Sequence, residues 1–300
     1  MNYKEFKELL LANLRDYFPK EFSISIHPVQ KNNGVLLDGL LIRQSCDKIV
    51  PTIYLQPFFE MLQNGERDID EITDEIIRQF ELHAHPKDFD PSELLDFEKA
   101  RERIVFRLIH YERNRALLSD VPYLSYLDLA IIFCVLIKVG DQTGSVILHN
   151  AHAAQWGQTA EELFALAVVN TPRLLKADLS GLREVIKNET EPAGFAADMP
   201  QKDPENIYVL TNRSHVNGAC TLLYPGILRK FSEETGGDFY VLPSSIHETL
   251  LVPADPQGLS QEHLDRLVRE VNRTQVADGE VLSDHAYYYS CKTRQLAMHA

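Results

Sequence analysis

A short segment, SSIHE at residues 244–248, contains the side-chain types that hydrolases use for catalysis. A serine nucleophile activated by an imidazole base performs acyl transfer when the hydroxyl and the ring nitrogen lie about 2.6–3.2 Å apart. A second segment, SDHAYYY at residues 283–289, could supply a further acid and base from a neighbouring strand. The candidates for a hydrolase site are therefore Ser244, Ser245, His247, Asp284 and His285.

Strand geometry argues against a catalytic pair within the first segment. If residues 245–252 form a strand, Ser245 and His247 share one face but are separated by roughly 6.6 Å along the axis, and Glu248 faces the other side. A tight turn centred on Pro243 and Ser244, between the strands DFYVL and HETLLVP, explains the same residues without chemistry. The sequence also lacks the GxSxG elbow of many hydrolases. We therefore favour a hairpin and keep the hydrolase as an alternative.

Patterns for metals and cofactors are weak. The pairs His83-x-His85 and His149-x-x-His152 have the spacing of metal ligands, but neither has a cysteine or carboxylate at a recognised metal spacing. No glycine-rich phosphate loop is present in the sequence. We therefore predict no metal and no cofactor. A small-ligand sensor is a further alternative, since aromatic side chains can line a ligand cavity, and its candidates are Trp156, Tyr287 and Tyr289.

Charge and composition restrict the partners and the compartment. The 300 residues carry a net charge of −14, which repels phosphate backbones, so we expect no nucleic-acid partner. The four cysteines lie far apart, as is typical of reduced thiols in the cytosol. The longest apolar run, residues 127–137, contains Asp128 and is too short to cross a bilayer. Together with an N-terminus that has no signal-peptide pattern, these features predict a cytoplasmic protein without membrane contact.

The elements that must position these residues alternate between helices and short strands. An amphipathic helix is predicted over residues 3–18, and a hairpin with its turn at Asn32–Gly34. The buried strand YLDLAIIFCVLIKV should pair with SVILHN across the turn GDQTG. Thr159 and Glu162 form a capping-box pattern at the start of another helix. The start of the helix near Pro225 stays open, because proline must either begin or kink it.

Short turns between strands produce antiparallel pairs, so the predicted fold is α+β, with mixed, largely antiparallel sheets and packed helices in two lobes. The first lobe, 1–115, contains helices and a hairpin. The second, 116–300, is an α+β lobe with a flexible loop near 189–205, where three prolines interrupt any apolar rhythm.

Long segments resemble a bacterial family known only as the domain of unknown function numbered 5688. They include DGLLIRQSCDKIVPTIYLQPFFEMLQNG, LIHYERNRALLSDVPYLSYLDLAIIF, ILHNAHAAQWGQTAEELFALAVVNTP, GACTLLYPGILRKFSEETGGDFYVLPSSIHETLLVPA and VNRTQVADGEVLSDHAYYY. The C-terminal half is also similar to a second, shorter uncharacterised cytosolic bacterial family. The resemblance implies a bacterial cytosolic protein with an α+β fold. It implies no activity, cofactor or catalytic residue, and Pro225 departs from the continuous helix expected of the family.

These observations favour a non-catalytic protein that binds a macromolecular partner or itself. That hypothesis predicts a contiguous exposed apolar patch of several hundred Å². The alternatives are the hydrolase near 244–248 and 284–285 and the small-ligand sensor.

Overall fold

A computed structural model describes residues 1–44, 50–83, 94, 96–139, 142–188, 207–254 and 260–298. The helices are α1 Tyr3–Tyr17, α2 Gln56–Gln63, α3 Ile69–His83, α4 Phe97–Ala100, α5 Arg115–Leu118, α6 Asn150–Trp156, α7 Ala160–Leu174, α8 Leu182–Asn188, α9 Ile227–Thr235 and α10 Gln261–Thr274. The strands are β1 Ser23–Gln30, β2 Leu36–Arg43, β3 Ile53–Tyr54, β4 Ile104–His110, β5 Tyr123–Tyr126, β6 Leu129–Val139, β7 Gln142–Ile147, β8 Ala177–Gly181, β9 Tyr208–Asn212, β10 Phe239–Pro243, β11 Thr249–Pro253, β12 Tyr287–Ser290 and β13 Gln295–Met298.

The strands form three sheets. One has the order β1-β2-β3, a second has the order β4-β6-β5 with β7 paired to β6, and the third has the order β13-β12-β10-β11-β9-β8. The pairings with a defined register are antiparallel. The predicted α+β class with largely antiparallel sheets is therefore confirmed.

The chain divides into two compact units. The first contains residues 1–31, 35–92 and 137–144, and the second contains residues 32–34, 93–136 and 145–300. The predicted lobes, 1–115 and 116–300, differ from this division, which places residues 93–115 in the second unit. The predicted flexible loop near 189–205 lies outside the described residues.

Helix α1 packs its apolar stripe into the core of the first unit. Phe6, Leu10 and Leu14 are buried and lie one turn apart. The helix begins with a capping box between Asn2 and Glu5, and it ends at Tyr17, as Pro19 predicts. The same core contains buried residues of α3, among them Ile72.

The six-stranded sheet carries much of the core of the second unit. Phe239, fully buried on β10, packs between Phe231 at 4.8 Å and Tyr289 at 4.7 Å between ring centroids. The chain around Pro225 is not one helix: a 3-10 segment covers Gly218–Leu223, and α9 begins only at Ile227. Pro225 thus separates two helical segments, because its ring cannot continue the first one.

Candidate functional site

The SSIHE segment is a loop between two strands. Pro243 is the last residue of β10 and pairs with Thr249, the first residue of β11. The hairpin prediction is correct, but the strand predicted for HETLLVP begins two residues later, at Thr249, and the tight turn centred on Pro243 and Ser244 is wrong. The amide of Ile246 donates to Glu280 O at 2.8 Å, so the chain leaves the ladder and forms a five-residue loop.

The two serine hydroxyls of this loop have partners other than an imidazole. Ser245 Oγ accepts a hydrogen bond from the amide of His247 at 3.0 Å, and Ser244 Oγ donates to Glu248 Oε1 at 3.4 Å. In the part of the chain that the structure describes, neither hydroxyl is hydrogen-bonded to a ring nitrogen. The geometry therefore provides no activated serine here.

The imidazole of His247 is held from both sides. Its Nδ1 accepts a hydrogen bond from the amide of Asn217 at 3.2 Å, so the neutral ring carries its proton on Nε2. That Nε2 lies 3.6 Å from Glu280 Oε1. The ring and the carboxylate resemble the base and orienting acid of a triad, but the nitrogen that would activate a nucleophile already accepts an amide hydrogen.

The segment 212–218, NRSHVNG, completes this surface and was missed by the sequence reasoning. His215 and Asn217 have positive φ angles of 53° and 51°, which are uncommon for residues other than glycine. Gly218 packs against backbone, with no room for a Cβ atom beside Asn212 N or His247 O. Asn217 was the available signal, because asparagine adopts the left-handed region more readily than most other residues with a side chain.

On β1, a serine and a histidine two residues apart do come into contact. Ser25 and His27 lie two residues apart on β1, yet Ser25 Oγ and His27 Nε2 are 3.0 Å apart and hydrogen-bonded. The imidazole leans along the strand and covers the axial separation. Spacing of two on a strand therefore does not exclude a serine–histidine contact. His27 is exposed, and neither described cavity is lined by this pair.

The second predicted segment also has partners of its own. Arg113 Nη2 donates to Asp284 Oδ2 at 2.8 Å and to Oδ1 at 3.1 Å, and Asn272 Nδ2 donates to Asp284 Oδ1 at 2.9 Å. Burial would raise the pKa of Asp284, but hydrogen bonds from Asn272 and Arg113 outweigh it and lower the pKa below its usual value. His285 Nδ1 lies 3.6 Å from Asp265 Oδ2. Neither Asp284 nor His285 is hydrogen-bonded to Ser244 or Ser245 among the described contacts.

His110 shares the carboxylate of Asp284, with its Nε2 at 3.8 Å from Oδ2. Burial lowers the pKa of His110, and the positive charge of Arg113 lowers it further. The carboxylates of Asp128, Asp284 and Glu112 act in the opposite direction and only partly offset these effects.

This lowered pKa should make the folded protein sensitive to mild acid. The unfolded chain, with a histidine pKa of about 6.5, takes up its proton before the folded protein does, so stability is fully present above that pH and falls below it. We expect His110→Gln to reduce the loss of unfolding free energy between about pH 7.5 and 5.5, measured by urea unfolding at each pH. His263→Gln, on the exposed side of α10, is the control. An unchanged pH dependence in His110→Gln would contradict this role.

The aromatic candidates for a ligand cavity are packed or lie elsewhere. Tyr287 is fully buried and donates its hydroxyl to Asp128 Oδ1 at 2.7 Å, while burial and then the Asp128 charge raise its pKa well above the usual value. Tyr289 stacks on Phe239 in the core. Trp156 packs against Phe97 at 5.6 Å between ring centroids. None of the three candidates lines either described cavity.

The pair His149 and His152 forms no group of three metal ligands within the described residues. His149 Nδ1 pairs with Asp120 Oδ2 at 2.8 Å, and His152 Nδ1 accepts from the amide of His149 at 3.1 Å. Throughout the described part of the chain, no group of three histidine, cysteine or acidic side chains is arranged to hold a metal ion. The other pair is not covered, because His85 and the side chain of His83 lie outside the described residues.

Two cavities lined by described residues are open to solvent. One, of about 340 Å³ in the second unit, lies between α7 and the residues of α4 and the turn that follows it. The other, of about 490 Å³ in the first unit, lies between β3, α2 and α3. Among the described residues, no helix has the length and apolar character needed to span a membrane.

Comparison with known proteins gives a single family. A family model described as a family of unknown function (DUF5688) matches residues 3–291, in agreement with the first resemblance noted from the sequence. No curated protein and no solved structure matches the chain. The resemblance of the C-terminal half to a second family stays a prediction.

Proposed function

Since the chain belongs to this family of unknown function, and neither loop serine is bonded to an imidazole, we propose that it is a non-catalytic cytoplasmic protein that binds a partner protein through α7. The observation that carries the proposal is Val169, which is 66% exposed on the wall of the cavity in the second unit. Hot spots of protein interfaces cluster in pockets that the partner fills, so an exposed apolar side chain beside a recess provides a suitable contact.

The exposed large hydrophobic side chains are spread over several elements. Among the described residues, they lie on or beside α1, β2, α3, the β5–β6 turn, α7 and the 212–218 segment. The contiguous apolar patch expected from the sequence stays a prediction. Helix α7 combines two of them, Val169 and Leu174, with a cavity of about 340 Å³.

Helix α7 is held in place by hydrogen bonds from the two residues that follow Val169. Asn170 Nδ2 donates to Arg101 O at 2.8 Å and to Ile104 O at 3.0 Å. Thr171 Oγ1 accepts from the amide of Phe106 at 3.1 Å. A helix fixed in this way loses little backbone conformational entropy on binding.

The charges around the cavity indicate the chemistry of the partner. The lining residues are Glu98, Arg101, Glu102, Ala165, Leu166, Val169 and Asn170. Arg101 pairs with Glu98 at 3.1 Å, whereas the carboxylate of Glu102 has no ion pair among the described residues. Two glutamates against one arginine leave a net charge of −1. A partner with an apolar side chain for Val169 and a lysine or arginine for Glu102 fits this surface.

The cytoplasmic part of the proposal is supported by the cysteines. Cys134, Cys220 and Cys291 are free thiols, and free thiols are typical of reducing compartments. The bacterial source expected from the sequence stays a prediction.

Val169→Asp tests the surface. We expect this tagged variant to capture at least tenfold less of the partner protein from native cell extract than the wild type, because a buried charge at the centre of an interface is costly. Val216→Asp, at a valine that is 53% exposed on the 212–218 segment, is the matched control and should capture normally. Equal capture by Val169→Asp and wild type would refute the surface. If the wild type dimerises in sedimentation velocity and Val169→Asp does not, the occupant is a second copy, and the partner-protein proposal is wrong.

A further inference from the structure

The cavity of the first unit has the size and lining of a small-molecule site. Its volume of about 490 Å³ lies within the range of about 300–1,000 Å³ that is usual for ligand pockets. The lining residues are Pro51, Thr52, Ile53, Tyr54, Pro57, Phe58, Met61, Arg67, Glu75 and Gln79. Most of these side chains are apolar, and the charged groups are confined to Arg67 and Glu75.

The carboxylate of Glu75 accepts from three donors. Gln79 Nε2 donates to Oε1 at 3.1 Å, and Arg67 Nη1 donates to Oε2 at 3.2 Å. Arg78 also pairs with Oε2. The hydrogen bonds from Gln79 and Arg67 are the main causes that lower the pKa of Glu75. Glu75 therefore acts as an ionised anchor for Arg67 and has little capacity left for a ligand.

Arg67 has unused hydrogen-bonding capacity at the cavity. A guanidinium carries five N–H donors, and the bond to Glu75 is the one contact of this side chain among the described residues. Because Glu75 fixes one nitrogen, the remaining donors are held in an orientation suited to a planar anion such as a carboxylate.

The two charged side chains that line the cavity differ in what they can still bind. Glu75 already accepts from three donors, whereas Arg67 makes one contact among the described residues. Lys31 lies close to the lining residue Tyr54, with its Nζ 3.9 Å from the ring centroid. The charged lining residue with donors available for a ligand is therefore the cation.

We propose that this cavity binds a small organic acid, whose carboxylate pairs with Arg67 and whose apolar body contacts Phe58, Ile53 and Met61. This site is separate from the α7 surface and assigns the protein a second, small-molecule ligand. The partly exposed guanidinium provides selectivity for the anion, and the apolar walls provide the area that is buried.

Three probes with the same apolar body test the charge preference: 4-phenylbutyrate, 4-phenyl-1-butanol and 4-phenylbutylamine. The full-length protein is titrated with each in isothermal calorimetry and in ligand-detected NMR. We expect the carboxylate to bind about tenfold more tightly than the alcohol, and the amine to bind most weakly. Equal affinities, a preference for the amine, or no binding of the carboxylate would overturn the proposal.

Two arginine variants locate the contact. Arg67→Gln is expected to reduce phenylbutyrate affinity about tenfold and to leave phenylbutanol affinity unchanged. Arg78→Gln removes the same charge and another donor to Glu75 outside the cavity lining, and should change affinity less than about threefold. If both variants lose affinity equally, or neither does, Arg67 is not the anion contact.

A third variant keeps the test decisive if Arg67→Gln unfolds. Met61→Trp should fill the cavity and weaken all three probes, while circular dichroism confirms the fold. Unchanged binding in Met61→Trp would place the probes elsewhere and refute the site. Val169→Asp should leave phenylbutyrate affinity unchanged, so that failure of the α7 proposal and failure of this one are distinguishable.

Discussion

Gly218→Ala is expected to lower the free energy of unfolding by about 3 kcal/mol, the upper end of the usual cost of overpacking. A Cβ atom at this position would lie 2.2 Å from Thr211 Oγ1, 2.3 Å from His247 O and 2.8 Å from Asn212 N. Two of these atoms belong to the backbone, and Thr211 Oγ1 is itself bonded to His247 O at 2.7 Å. The added methyl group must therefore displace β9 or the 244–248 loop. Urea unfolding at constant slope measures the change.

Gly237→Ala provides the matched control for this substitution. A Cβ atom at Gly237 meets no atom within 4 Å, and its φ angle is not positive. The change should stay within about 1 kcal/mol and can even stabilise by restricting the unfolded chain. If Gly218→Ala costs no more than Gly237→Ala, the close approach of β9 to the loop is refuted.

Asp128→Ala should destabilise the protein about as much as Gly218→Ala, because it removes the acceptor of two buried hydroxyl groups. Its carboxylate accepts from Ser283 Oγ at 2.6 Å and from Tyr287 OH at 2.7 Å, and both donor residues are fully buried. A buried donor without an acceptor costs about 1–3 kcal/mol. We therefore expect Asp128→Ala to lower the unfolding free energy by about 3 kcal/mol. Chemical unfolding monitored by circular dichroism measures it.

A double-mutant cycle with Tyr287→Phe separates this network from a general loss of packing. In the Tyr287→Phe background one of the two donors is already removed, so Asp128→Ala should cost about 1 kcal/mol less than in the wild type. Additive effects would contradict a direct coupling. Asp120→Ala is an exposed control, because its carboxylate is 68% accessible, and should cost less than about 1 kcal/mol.

Local sequence signals predicted the elements well. Thr159 and Glu162 form the expected capping box at the start of α7. Asn33 and Gly34 adopt the positive φ angles that their turn pattern indicates, and β6 pairs with β7 as expected. These features depend on residues close in the chain, whose preferences act before tertiary contacts form.

Contacts between distant residues could not be predicted in the same way. Arg113 and Asp284 are far apart in sequence, and no periodicity indicates that they form an ion pair. The amide of Ile246 bonds to Glu280 O, and this tertiary contact helps to hold residues 244–248 in a loop, although the sequence predicts a strand from His247. The hydrolase hypothesis was built on close spacing in the chain, whereas catalysis depends on the direction of each polar atom.

The side-chain contacts of the candidate site were equally hard to predict from the sequence. Strand rise fixes the axial separation of alternate residues, but side chains can span that distance, as those of Ser25 and His27 do. No sequence motif marks Arg67, because its proposed role in binding depends on a cavity built from three separate elements. A single arginine in a polar turn is indistinguishable in sequence from a solvated one.

The order of the six-stranded sheet has a consequence for the behaviour of the protein at high concentration. Its edge strands, β13 and β8, have four and five residues, whereas long, flat edges are the templates on which other chains add in fibrils. So few free amide and carbonyl groups at either edge disfavour strand addition, and the folded protein should resist amyloid-like growth seeded from this sheet.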